Sequence, residues 1–202
     1  LADTVFALSM VLLVLGLHLP RVNNVLSESE LRSALREMSP HLYICAISFV
    51  FLLVYWVLHH YQFRYLTRSS GRLVWLTGAL LAAVALVPFT TGLLAEYRVL
   101  ATAVTLYEAN LLVIQLLLLF TWRNAVKSGL MFGGDVPSGI VRRMRVALAL
   151  GAGYIAVAMG LAFIGPYVSL NVLLGLAVFY AILTARGGYS LDVLRHRPPS
   201  ED

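Results

Sequence analysis

Six stretches of the chain are almost continuously apolar: 4–17, 41–60, 73–94, 99–122, 146–164 and 168–184. Runs of about 20 apolar residues are the length of a membrane-crossing helix, so the pattern predicts an all-α membrane protein with six transmembrane helices. The first run is short for a crossing, and the reading expects further residues upstream. No basic segment precedes it and no small-residue cleavage site follows, which argues for a first transmembrane helix rather than a signal peptide. Between the first two runs, Ser27-Glu28-Ser29-Glu30 fits a capping box. It opens a short amphipathic helix, expected over 28–38 at the membrane interface, with Pro40 as its stop. The division expected is a transmembrane domain over 1–185 and a cytoplasmic, disordered tail over 186–202.

Composition agrees with the pattern. Of 202 residues 60% are hydrophobic and 12% charged, where a soluble domain carries about 25% charged. The formal charge of +5 suits loop placement better than nucleic-acid binding. Six crossings put eleven of the fifteen Lys and Arg residues on the side that holds both termini. The positive-inside rule makes that side the cytoplasm. The connection over 123–145, with Gly133, Gly134, Asp135, Pro137 and Gly139, is expected to be a flexible cytoplasmic loop. The lone Cys45 excludes a disulfide framework within the chain.

Polar residues at membrane depth are costly and mark places to look for function. Asp3 opens the first run, and Trp56, His59 and His60 close the second at a similar depth. Two readings are open: a polar latch that holds the first helix, pH-sensitive through histidine, or interfacial histidines beside a belt tryptophan. Adjacent histidines diverge by about 100° on a helix and do not readily share a metal ion, so no metal and no cofactor is expected. Glu108 and Gln115 share one face of the fourth run. They suit either a proton or cation site, or a structural network in which Glu108 bonds to Asn171, to a tyrosine of another span or to Thr105. No nucleophile elbow, phosphate loop or zinc-protease motif occurs, and no enzyme is expected. A TVGYG-like filter and regularly spaced span arginines are absent as well. Ions could cross only along an axis shared by several subunits.

Three strings carry a resemblance: Asp3-Thr4-Val5-Phe6-Ala7-Leu8 through Leu12-Leu13-Val14-Leu15, Trp56-Val57-Leu58-His59-His60, and 87–97 from Val87-Pro88-Phe89 to Ala95-Glu96-Tyr97. In this order and spacing the chain resembles the transmembrane-protein-175 family of potassium channels. The family's first helix opens with an Arg-x-x-x-Phe-Ser-Asp signature; here Leu1-Ala2-Asp3 stands in place of Phe-Ser-Asp, so only the aspartate carries over. The resemblance implies a homotetramer of six-helix subunits in a prokaryotic cell membrane, with monovalent cations, K+ above all, as permeant ions and no re-entrant filter. It further implies that the first helix lines the conduit, with Leu8 at the gating position and Val11 where the family has threonine. Leu12 and Leu15 continue that stripe at i+4 and i+7 from Leu8. Periodicity alone reads the same stripe as lipid-facing or core. A small proton-coupled transporter using Glu108 and Gln115 is the alternative.

Overall fold

The computed structural model describes residues 1–17, 27–66, 68–130 and 138–185. These form seven helices: α1 (Ala2–Leu15), α2 (Glu28–Arg64), α3 (Gly71–Ala85), α4 (Val87–Glu96), α5 (Ala101–Lys127), α6 (Ser138–Leu161) and α7 (Pro166–Ala185). Every apolar run of the sequence is helical, as it must be where no water is present to satisfy backbone groups. Four segments are long and apolar enough to cross a bilayer: α2, α3 with α4, α5 and α6. Two shorter apolar helices, Ala2–Leu15 and Pro166–Tyr180, accompany them. At 1.5 Å per residue, α1 spans about 21 Å, less than the hydrocarbon thickness of about 30 Å.

Several boundaries depart from the sequence reading. The capping box forms, with Glu30 N–H donating to Ser27 Oγ at 3.4 Å and Ser27 N–H to Glu30 Oε2 at 3.2 Å. The helix it opens does not stop at Pro40; it runs on as α2 to Arg64, with the proline inside. Proline removes one donor and crowds the preceding turn, at about 3 kcal/mol. An apolar run beginning at the next residue has a stronger demand, since its backbone bonds must all be made internally. The third run is divided at Leu86 into α3 and α4, with Pro88 in the first turn of α4, where its missing donor costs least. The expected loop over 123–145 is largely helix: α5 extends to Lys127 and α6 begins at Ser138, so Arg142, Arg143 and Arg145 are helical. Long basic side chains permit this by carrying their charge outward from an apolar helix. The tail over 186–202, and the segment 131–137 with Gly133, Gly134, Asp135 and Pro137, lie outside the described residues.

Contacts between helices set their directions. Asp3 meets Trp56 and the Leu13 carbonyl meets Cys45, so α1 runs antiparallel to α2. On α5, Gln115 meets Leu148 and Trp122 meets Val141, so α6 runs antiparallel to α5. A ladder joins α2 to α5 in parallel. Ser48 Oγ and Tyr107 Oη lie 2.9 Å apart, Tyr55 Oη donates to the Leu111 carbonyl at 3.1 Å, and Gln62 Nε2 to the Leu118 carbonyl at 3.1 Å. Residues 48, 55 and 62 are spaced by two helical turns, so three polar groups on one line of α2 hold α5. Helix α5 packs against α2, α3, α4, α6 and α7, and α1 against α2, α3 and α4.

Candidate ion-conducting helix and buried carboxylate

Helix α1 has two unlike sides. Phe6, Ser9 and Leu13 are buried against the neighbouring helices. Leu8, Val11, Leu12 and Leu15 are 57%, 52%, 43% and 70% exposed in the single subunit. The stripe at 8, 12 and 15, with Val11 beside it, therefore forms no part of the subunit core. Leu12 additionally borders a crevice of about 530 Å³ between α1, α2 and α4, whose wall includes Glu37, His41, Thr91 and Glu96.

At the other end of α1 the polar cluster is assembled. Trp56 Nε1–H donates to Asp3 Oδ1 at 2.8 Å. Of the three side chains that close the second run, Trp56 is the one that hydrogen-bonds to Asp3. His59 is buried, with Phe63 stacked at 4.4 Å between ring centres and Phe6 of α1 at 6.0 Å. Its Nε2 is buried without a hydrogen-bond partner. His60 lies beside the Trp56 ring, at 5.7 Å. Thus α1 is held by a hydrogen bond at Asp3 and by aromatic packing at Phe6, one turn later. Among the described residues no group of three or more metal-ligating side chains occurs.

Glu108 and Gln115 both face α6 and α7, but they occupy separate nodes. Ser169 Oγ reaches both Glu108 Oε1 and the Ala158 carbonyl, the latter at 2.6 Å. Glu108 Oε2 is buried without a hydrogen-bond partner. The expected partners differ: Asn171 donates to the Tyr167 carbonyl at 2.8 Å, and Thr105 Oγ1 is itself unpartnered. Geometry explains the choice, because Ser169 lies buried on α7 and Asn171, two residues on, is exposed. Gln115 Nε2 donates to the Leu148 carbonyl at 2.9 Å and to Tyr180 Oη at 3.2 Å. Gly151 makes this second node possible, since a Cβ there would meet the Tyr180 hydroxyl and Gln115 Nε2.

A further buried cluster escaped the sequence reading. Thr91 Oγ1 donates to Ser48 Oγ at 2.9 Å, which neighbours Tyr107 Oη at 2.9 Å, tying α4, α2 and α5 together. Its signal in the sequence was a scatter of hydroxyl residues within apolar runs, with nothing to pair them.

The family model for the endosomal/lysosomal potassium channel TMEM175 matches residues 1–88. A potassium channel of Chamaesiphon minutus is 30% identical over 184 residues, covering 90% of each chain. A potassium channel of Streptomyces collinus is 30% identical over 183 residues, covering 89% of this chain and 87% of the relative. Among solved structures, the crystal structure of a lysosomal potassium-selective channel TMEM175 homolog from Chamaesiphon minutus superposes with a TM-score of 0.79 at 30% identity, over 90% of this chain and 93% of that one. With alignments running through nearly the whole chain in sequence and in structure, this protein belongs to the TMEM175 family, a family of potassium channels and not of enzymes.

Proposed function

We propose that the chain is the subunit of a homotetrameric, potassium-permeable channel, with six crossings per subunit and both termini in the cytoplasm. In this reading α1 lines a central conduit and its leucine stripe forms a hydrophobic constriction. One observation carries the proposal: α1 buries Phe6, Ser9 and Leu13 against its own subunit and leaves Leu8, Val11, Leu12 and Leu15 exposed. The potassium-channel relatives supply the permeant ion. Rings of Leu8 from four subunits enclose an apolar neck. Stripping an ion of water there costs on the order of tens of kcal/mol before compensation. The neck therefore closes by dewetting, and it opens when the α1 helices tilt or rotate far enough to admit water. Potassium, held less tightly by its hydration water than sodium, passes the narrow neck more readily.

The polar cluster at Asp3 and Trp56 has a positioning role in this scheme. It fixes the start of α1 against the end of α2, one turn from the aromatic packing of Phe6 on His59. The proton-coupled alternative at Glu108 and Gln115 is less well supported. The two side chains do not share a partner: Gln115 bonds to Leu148 of α6 and Tyr180 of α7, and Glu108 to Ser169 of α7.

Two measurements on purified protein test the reading. Mass determination in detergent is expected to give a tetramer, and cation flux in liposomes is expected to rise in Leu8→Ala. A monomer, or flux and cation preference unchanged in both Leu8→Ala and Leu8→Ser, would remove the leucine neck. Flux that saturates, requires a proton gradient and disappears in Glu108→Gln would favour the transporter.

A further inference from the structure

Far from the leucine stripe, the start of α3, the last turns of α5 and the first half of α6 enclose a crevice of about 540 Å³. Arg72, Arg123, Lys127 and Arg145 line it, with no acidic side chain among the lining residues. Cations from three different helices thus converge on one space, with no anion to balance them among the described lining residues. Asn124 also lines the crevice, and its Nδ2 is buried without a hydrogen-bond partner. A buried donor left unmatched is unfavourable, and a turn of the side-chain amide toward the crevice would present it to an anionic oxygen there.

The remaining wall is apolar, including Leu76, Phe120 and Val126, and the last two are exposed. Trp75, one turn from Arg72 on α3, is 82% exposed. An outward tryptophan at the start of an apolar helix marks the level of lipid headgroups. A basic recess bordered by an outward apolar strip at that level matches an amphiphile with an anionic head and acyl tails. Several cationic and amide donors approaching from different sides call for several acceptor oxygens, as a phosphate offers.

We propose that this crevice binds the headgroup phosphate of an anionic membrane phospholipid, clamping α3 to the α5–α6 pair. Arg123 and Arg145 hold the phosphate with Asn124, and the acyl chains run along Phe120 and Val126. Helix α3 also packs on α1, so a lipid seated here bears on the proposed conducting helix; that consequence, unlike binding itself, rests on the channel reading.

Native mass spectrometry of the full chain tests it, with dioleoylphosphatidylglycerol and dioleoylphosphatidylcholine as probes. The wild type is expected to retain the anionic lipid about tenfold better, a difference of about 1.4 kcal/mol. Arg123→Gln with Arg145→Gln should abolish that preference. Asn124→Asp, which nearly conserves volume and places a negative charge in the recess, should do so singly. Arg142→Gln with Arg143→Gln, an equal loss of charge on α6 outside the crevice, should keep it. Equal retention by wild type and the crevice variants, or equal loss in the Arg142/Arg143 control, overturns the site. Displacement of the lipid by millimolar inorganic phosphate or glycerol 3-phosphate would make a free phosphate the occupant and overturn the lipid assignment. Melting temperatures in phosphatidylcholine micelles monitor folding of each variant.

Discussion

The indole of Trp56 donates to the carboxylate of Asp3 across 2.8 Å, linking the first turn of α1 to the last turns of α2. Fifty-three residues separate the two in sequence. Trp56→Phe removes the donor while keeping most of the ring, and Asp3→Asn weakens the acceptor. A double-mutant cycle on thermal stability should give a coupling of about 0.5–1 kcal/mol, the range of a partly exposed hydrogen bond. Additive effects would dissociate the pair.

Leu8 tests the proposal that α1 lines the conduit. If the proposed neck exists, Leu8→Ser places a hydroxyl in it, and liposome potassium leak should rise about tenfold, equivalent to lowering the barrier by about 1.4 kcal/mol. Discrimination between potassium and sodium should fall in the same variant. Phe6→Ala, on the buried side of the same helix, should instead destabilise the fold by about 3–5 kcal/mol. Opposite signatures from residues two positions apart would identify which side of α1 faces the ions.

Gly151 allows α5, α6 and α7 to meet at Gln115 and Tyr180. Gly151→Ala should cost about 1–3 kcal/mol through overpacking. Tyr180→Phe in the same chain should recover part of the loss, because it deletes the oxygen that the new methyl group meets. A melting series of the wild type and the two variants checks the order.

Glu108 separates structure from transport. Ser169→Ala removes a hydrogen-bond donor from the buried carboxyl and should lower stability by about 1–3 kcal/mol. Glu108→Gln should leave potassium flux within about twofold of wild type, and loss of flux at unchanged stability would assign the carboxylate to the permeation path.

Removing any rung of the α2–α5 ladder should loosen a parallel pair that few other polar contacts hold. Gln62→Leu should cost about 0.6–2 kcal/mol, the range of hydrogen bonds between helices in membranes. Thermal melting in detergent measures it.

Among the described residues each apolar run marked a helical segment, though not the division of the third run into α3 and α4, because a backbone in lipid has one local solution and that solution depends on composition alone. The capping box at Ser27 was legible for the same reason, since its partners lie three residues apart. Local rules misjudged Pro40 and the arginines at 142–145. There, proline's penalty and the exposure of charge are set against the demands of neighbouring turns. The chain by itself also brought forward Asp3, Trp56, Leu8 and Glu108, as residue types that membranes tolerate only for a reason or that the family pattern marks. Tertiary structure alone decided that Asp3 meets Trp56 and not His59, and that Glu108 meets Ser169 and not Asn171. It likewise brought Arg72, Arg123 and Arg145 around one crevice. Hydrogen bonds and electrostatic fields act over a few ångströms in space, and which distant residues come that close depends on helix direction and rotation, which periodicity leaves free.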